Sequence, residues 1–147
     1  MHILALTEPL TRPEYQAFAS GFPILLLHAV VTLGLLAAGA MLYALLSPWK
    51  EVAQIRLGNP AASIAFSGIL LGLAIPLAVS LSVSTSFVDV VIWGAATVVM
   101  QLLVFRLVDL ILTGLPNRVS EGEISAAALI LSGRLASSLV MAAALTG

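Results

Sequence analysis

The chain has 147 residues, 61% of them hydrophobic and 9% charged, with a formal net charge of −1 and a mean hydropathy of +1.14. A soluble domain carries roughly 25% charged and about 45–50% apolar residues, and a water-soluble fold of this size cannot hide so much apolar surface, so the expected solvent is a lipid bilayer. Near-neutral charge without a basic run argues against nucleic acid as a partner, and the lack of cysteine excludes disulfides, thiolate metal sites and thiol chemistry.

Residues 1–21 read as an N-terminal interfacial segment. Thr11-Arg12-Pro13-Glu14 has the order of a capping box, with Thr11 as N-cap, proline in the first turn and Glu14 at the third position. It predicts a short helix at the membrane surface, with Tyr15 and Phe18 among the headgroups. No basic start of a signal peptide precedes it. Gly21 and Pro23 are expected to break or bend the chain before a first span from about Phe22 to Leu46, which Ser47-Pro48-Trp49-Lys50 ends.

The second span has a clear beginning. Asn59 is a good N-cap, and Pro60 suits the first helical position because its missing N–H has no partner there anyway. The apolar run continues to about Leu81. Pro76 lies inside it and deprives the Gly72 carbonyl of its helical donor, so a kink is expected. After a polar turn over Ser82 to Ser86, the third span covers roughly Val88 to Leu115, long enough to tilt, and Leu115-Pro116-Asn117 stops it. Ser120-Glu121-Gly122-Glu123 offers a second capping box before a fourth span from about Ile124 to Leu145.

The predicted fold is therefore all-α, a four-helix transmembrane bundle over residues 22–147 preceded by the short interfacial helix. A shift of 65 residues lays Ala126-Ala127 on Ala61-Ala62, Ser132-Gly133 on Ser67-Gly68, and Ser137 on Gly72. The bundle thus reads as two tandem helical hairpins of the same orientation, repeat one over about 22–82 and repeat two over about 87–147. Their pseudo-twofold axis would lie along the membrane normal, unlike that of inverted transporter repeats. Lys50, Arg56 and Arg118 fall in the two inter-span loops on one side and only Arg12 on the other, which puts those loops in the cytoplasm and both termini in the periplasm.

The repeat carries a packing pattern. Gly68 and Gly72 form a small-xxx-small pair, and Gly133 with Ser137 forms its counterpart. In lipid such pairs let backbones approach closely. The face they make would serve contact between spans two and four within one protomer, or a dimer or larger ring.

Charged groups at membrane depth are the first place to look for function. Gln101, Arg106 and Asp109 lie on span three and Arg134 on span four. Arg106 and Asp109 are three apart and so neighbours on a helix. At about 1.5 Å per residue, Arg134 lies roughly 18 Å beyond Gly122, near the middle of a hydrocarbon core about 30 Å thick. It needs a partner there, and the candidates are Gln101, Asp109 and the Gly72 carbonyl. The set reads as a network locking spans three and four, as the lining of an ion, proton or solute path, or as a contact with a partner subunit or headgroup. His28 is either a core residue or a ligand for a haem or chlorin metal, and Trp49 and Trp93 suit the interfacial belts. No hydrolase, zincin or phosphate-loop pattern is present, so no catalytic residue, metal ligand or cofactor is assigned.

The segment Gly58-Asn59-Pro60-Ala61-Ala62-Ser63-Ile64-Ala65-Phe66-Ser67-Gly68, with Leu70-Leu71-Gly72, Ile75-Pro76, Asp89, Trp93-Gly94 and Gln101-Leu102-Leu103-Val104-Phe105, resembles the YjfL-like proteins, a family of bacterial inner-membrane proteins. The resemblance implies an inner-membrane location and two tandem two-span units, and brings no activity. Arg134 stands outside the family pattern. The functional expectation is a non-enzymatic membrane subunit in contact with lipid and with copies of itself or a larger complex. The alternative is an oligomeric channel or transporter for an ion or small solute, using the polar residues of spans three and four.

Overall fold

The computed structural model describes residues 12–147. Thr11, and with it the expected first capping box, lies outside the described residues. The described part is helical throughout, with α1 over Pro13–Leu46, α2 over Glu51–Arg56, α3 over Pro60–Val83, α4 over Phe87–Ile111, α5 over Leu115–Ser120 and α6 over Ile124–Thr146. Four of these (α1, α3, α4 and α6) are long and apolar enough to cross a membrane.

Helix α1 corrects the expectation of a separate interfacial helix. Its 34 residues run unbroken through Gly21 and Pro23. Proline removes one N–H, but among apolar surroundings no other local conformation satisfies the neighbouring backbone groups, so the helix carries through. At about 1.5 Å per residue it is roughly 51 Å long, well beyond a hydrocarbon core of about 30 Å. The first turns are thus an extension of span one.

Helix α3 begins as its sequence predicts. The Asn59 side chain accepts from the Ala62 N–H at 3.2 Å, and Pro60 opens the helix. The helix continues through Pro76, which is buried. The second predicted capping box does not form. Ser120 closes α5 and donates to the Pro116 carbonyl, while Glu123 is the N-cap of α6 without a side-chain capping bond. The expected stop at Leu115-Pro116-Asn117 is instead the start of α5, and α4 already ends at Ile111. The reason lies in two left-handed glycines, Gly114 at φ 88° and Gly122 at φ 91°, which turn the chain sharply at both ends of a short helix. The loop after α1 has the same design, with α2 bracketed by Lys50 at φ 49° and Gly58 at φ 88°.

Helices α3 and α6 run in the same direction and form the most extensive pairing. Helix α4 packs against α1, α3 and α6, and α1 also leans on α3. Close approach depends on glycine. A Cβ at Gly68 would sit 3.2 Å from the Leu131 Cα on α6, and one at Gly72 would sit 2.6 Å from the Phe105 Cζ and 2.8 Å from the Ser138 Oγ. Gly133 turns toward Val108 of α4 and Leu112 just after it, and the Ser137 hydroxyl donates to the Arg134 carbonyl. Gly68, Gly72 and Gly133 therefore face neighbours within the protomer, while the Ser137 hydroxyl folds back onto its own helix.

Burial recurs in register. Ala61, Ala62, Ala65, Ile69, Leu73 and Leu77 are buried on α3, and Ala126, Ala127, Ile130, Arg134, Ser138 and Ala142 on α6. Each of the second set lies 65 residues after its counterpart. Arg134 and Ser138 thus occupy the positions that Ile69 and Leu73 fill with hydrocarbon on the other helix.

Candidate functional site

Arg134 lies ten residues into α6, about 15 Å from its start, and is fully buried at 0% exposure. Helical side chains lean toward the N-terminal end, so the guanidinium reaches back toward the end of the bundle that carries α2 and α5. There it meets four other helices at once. Nη1 donates to the Ala65 carbonyl of α3 at 2.7 Å. Nη2 donates to the Tyr43 hydroxyl of α1, to Asp109 Oδ1 of α4 at 3.0 Å and to Glu51 Oε1 of α2 at 3.4 Å. The guanidinium carbon also lies 5.1 Å from the Tyr43 ring centre, a cation–π geometry.

The chain delivers each partner by a local device. Tyr43 stands in the last turn of α1, held edge-to-face by Phe105 at 6.2 Å. Glu51 follows Lys50, whose left-handed backbone reverses the chain after α1 and turns the first residue of α2 inward, to 5% exposure. Asp109 lies in the last turn of α4, its side chain 7% exposed. Tyr43 ties the two carboxylates together, its oxygen 3.2 Å from Asp109 Oδ2 and 3.5 Å from Glu51 Oε1. Burial pushes the Glu51 carboxyl above the usual carboxylate range, against the pull of Arg134 in the other direction.

A second tier lies deeper. The Ser138 hydroxyl donates to the Arg134 carbonyl at 2.6 Å and accepts from Gln101 Nε2 at 3.0 Å. Gln101 Oε1 is buried without a partner, as are Thr97 Oγ1 and Ser80 Oγ. Other hydroxyls in the spans, such as those of Thr32, Ser67, Ser132 and Ser137, fold back onto carbonyls three or four residues earlier, the usual way a helix satisfies them in apolar surroundings.

Of the four polar residues singled out on spans three and four, the structure brings Asp109 and Arg134 into direct contact and links Gln101 to Arg134 through Ser138. Arg106 stands apart. It is exposed and donates through Nη2 to the Leu46 carbonyl at 2.7 Å. That carbonyl ends α1, where acceptors lack helical donors and the dipole favours a cation, so it draws the guanidinium away from Asp109. The Gly72 carbonyl is not the acceptor for Arg134; Ala65, two turns earlier, takes that place.

Two members of the cluster, Tyr43 and Glu51, were not legible as such. Glu51 follows Lys50 in a polar loop and reads as surface. The available signal was an imbalance: an arginine at mid-membrane depth, with a single carboxylate at its level in the spans, needs help from elsewhere. His28 is half-buried on α1 and lines an apolar groove with Gly21, Ile24, Leu25, Ala29 and Leu81. Among the described residues, no group of three or more His, Asp or Glu side chains is placed to hold a metal ion. A cavity of about 470 Å³ lined by Trp49, Arg106, Asp109, Thr113 and Asn117 opens beside the cluster.

A family described as Domain of Unknown Function (DUF350) matches residues 17–145. The UPF0719 inner membrane protein YjfL of Escherichia coli (strain K12) is 35% identical over 105 residues, covering 71% of this chain and 80% of that protein. The protein of the same name from Escherichia coli O157:H7 aligns with the same identity and coverage. No solved structure matches the chain.

Proposed function

The chain belongs to the DUF350 family, and from that membership we propose that it is a non-enzymatic, multi-pass protein of the bacterial inner membrane, a structural or accessory subunit that packs with itself or with partner membrane proteins. The observation that carries this reading is the use made of its deepest charge. Arg134 is consumed by contacts to α1, α2, α3 and α4 within one protomer, an arrangement suited to fixing helix positions. The first half of α1 supports a partner role, because Phe18, Phe22, Leu25, Leu26 and Val30 are exposed among the described residues. We further propose, from Lys50, Arg56 and Arg118 on one side against Arg12 on the other, that the two short-helix loops face the cytoplasm and both termini the periplasm. We read the 65-residue recurrence of buried positions as the trace of one hairpin duplicated. Native mass spectrometry and mild-detergent pull-down from native membrane test the reading. An assembly larger than one chain is expected; a partner-free monomer under both conditions sinks it.

The second reading, an oligomeric channel or transporter for an ion or small solute, draws on the unpartnered Gln101 Oε1, Thr97 Oγ1 and Ser80 Oγ in the bundle interior. Flux in liposomes should then respond to Arg134→Ala and to Asp109→Asn. Equal background leakage from both variants and the wild type removes it.

A further inference from the structure

The hydrogens on Arg134 Nη2 and on the Tyr43 hydroxyl do not suffice for the atoms that share them, while the Arg134 Nε–H is buried without an acceptor and Glu51 Oε2 without a donor. Nη2 carries two hydrogens and the Tyr43 hydroxyl carries one. They serve five hydrogen-bonding pairs: Nη2 with the Tyr43 oxygen, with Asp109 Oδ1 at 3.0 Å and with Glu51 Oε1 at 3.4 Å, and the Tyr43 oxygen with Asp109 Oδ2 at 3.2 Å and Glu51 Oε1 at 3.5 Å. With both carboxyls ionised, three hydrogens cover five pairs, and two pairs of oxygen or nitrogen atoms face each other with nothing between them. The charges are short in the same sense. One guanidinium at 0% exposure is set against two carboxylates at 5% and 7%, and a buried charge without a counter-charge is strongly disfavoured.

One added proton removes the charge deficit and fills one of the two empty pairs. We propose that the cluster is a proton-binding site, and that Glu51 carries the proton as a neutral carboxyl group. Asp109 is the poorer candidate because its contacts with Arg134 at 3.0 Å and with Tyr43 at 3.2 Å are both shorter than those of Glu51 at 3.4 Å and 3.5 Å. With Glu51 protonated on Oε1, that group donates to the Tyr43 oxygen and Tyr43 donates to Asp109 Oδ2. The two Nη2 hydrogens go to Asp109 Oδ1 and the Tyr43 oxygen. Four of the five pairs then hold a hydrogen, and the fifth is the long Nη2–Oε1 approach.

Among the described residues, the titratable groups facing Glu51 are Tyr43 from α1, Asp109 from α4 and Arg134 from α6, with Lys50 its neighbour in the chain and Arg106 committed to the Leu46 carbonyl. The protonated set has no net charge, from one guanidinium and the Asp109 carboxylate. Loss of the proton leaves it at −1. The proton exchanges through the cavity of about 470 Å³ that Asp109 lines together with Trp49 and Asn117. Glu51 is the one member of the cluster on a six-residue helix between spans, so the site couples proton occupancy to the docking of that helix against the bundle.

Infrared spectroscopy of the full chain in mild detergent tests the site, through the carbonyl stretch of a protonated carboxyl group. A solvent-exposed glutamate is ionised near neutral pH and does not contribute. The expected result near neutrality is one such band that shifts when the protein is made with carbon-13 glutamate, stays in place with carbon-13 aspartate, and is missing from Glu51→Gln. The absence of any band in the wild type, a band that follows the aspartate label, or a band that survives Glu51→Gln overturns the proposal. Should Glu51→Gln fail to assemble, the two labels on the wild-type chain decide the matter without it.

Discussion

Arg134 on α6 and Asp109 on α4 meet at 3.0 Å with side chains 0% and 7% exposed, and this pair fixes the only guanidinium deep in the described bundle to the antiparallel helix beside it. Ala65 and Tyr43 then hold the guanidinium from two further helices.

Replacing Arg134 by leucine should be among the most damaging single changes in the chain. It strands the Asp109 carboxylate without a cation, and breaking a buried ion pair from one side costs about 3–5 kcal/mol. Arg134→Lys should recover only part of this, since an ammonium lacks the fork that serves Ala65 and Asp109 together. The combined variant Arg134→Leu, Asp109→Leu, Glu51→Gln should return close to wild-type stability, because it removes all the buried charges. Thermal unfolding in mild detergent, followed by helical circular dichroism, ranks the three. A single Arg134→Leu as stable as wild type contradicts the lock.

Stability should fall with rising pH on account of Glu51. Burial raises its folded-state value above the ordinary 4.5, so the folded chain holds this proton where the unfolded chain has lost it. The contribution is fully present below pH 4.5 and is lost as pH rises through the raised folded value. Unfolding temperatures across pH should show this slope in the wild type and a flatter profile in Glu51→Gln. Identical slopes in both would assign the pH dependence elsewhere.

Gly72→Ala places a methyl 2.6 Å from Phe105 Cζ and 2.8 Å from Ser138 Oγ. Crowding of this kind in a packed interior costs about 1–3 kcal/mol, and the Phe105 ring cannot yield without disturbing Tyr43. Gly21→Ala, with nothing within 4 Å of the new atom, is the control and should be neutral. Matched unfolding curves for the two variants would show that α3, α4 and α6 are less tightly packed than described.

Asn59→Ala should lose more than a helix cap. Its Oδ1 receives the Ala62 N–H, and its Nδ2 donates to the Val119 carbonyl at 2.9 Å and to Gln54 Oε1 at 3.2 Å. The cap alone is worth about 1 kcal/mol, and the bond to Val119 ties the α2–α3 turn to α5. The expected sign is lower stability together with faster proteolysis in both inter-span loops. Damage confined to the first loop would show that the tie to Val119 carries no weight.

The sequence was most informative where one local property decided the outcome. Four long apolar runs could be read because each spanning helix must satisfy its own backbone in lipid. The start of α3 could be read because Asn59 and Pro60 act within three residues of themselves. The second capping pattern, at Ser120, failed because left-handed glycines on either side had already assigned that serine to α5. The break at Gly21 and Pro23 failed because apolar surroundings leave a chain little alternative to continued helix.

Composition and periodicity alone determined that this chain is a four-span helical membrane protein, with Arg134 as a deep charge in need of partners. Which partners it found was decided only by tertiary structure. Tyr43, Glu51 and the Ala65 carbonyl lie 91, 83 and 69 residues away along the chain. No local pattern links groups so far apart. They converge because the left-handed turn at Lys50 folds a loop glutamate inward, and because glycines at 68 and 72 bring α3 close enough to α6 for one guanidinium to reach four other helices.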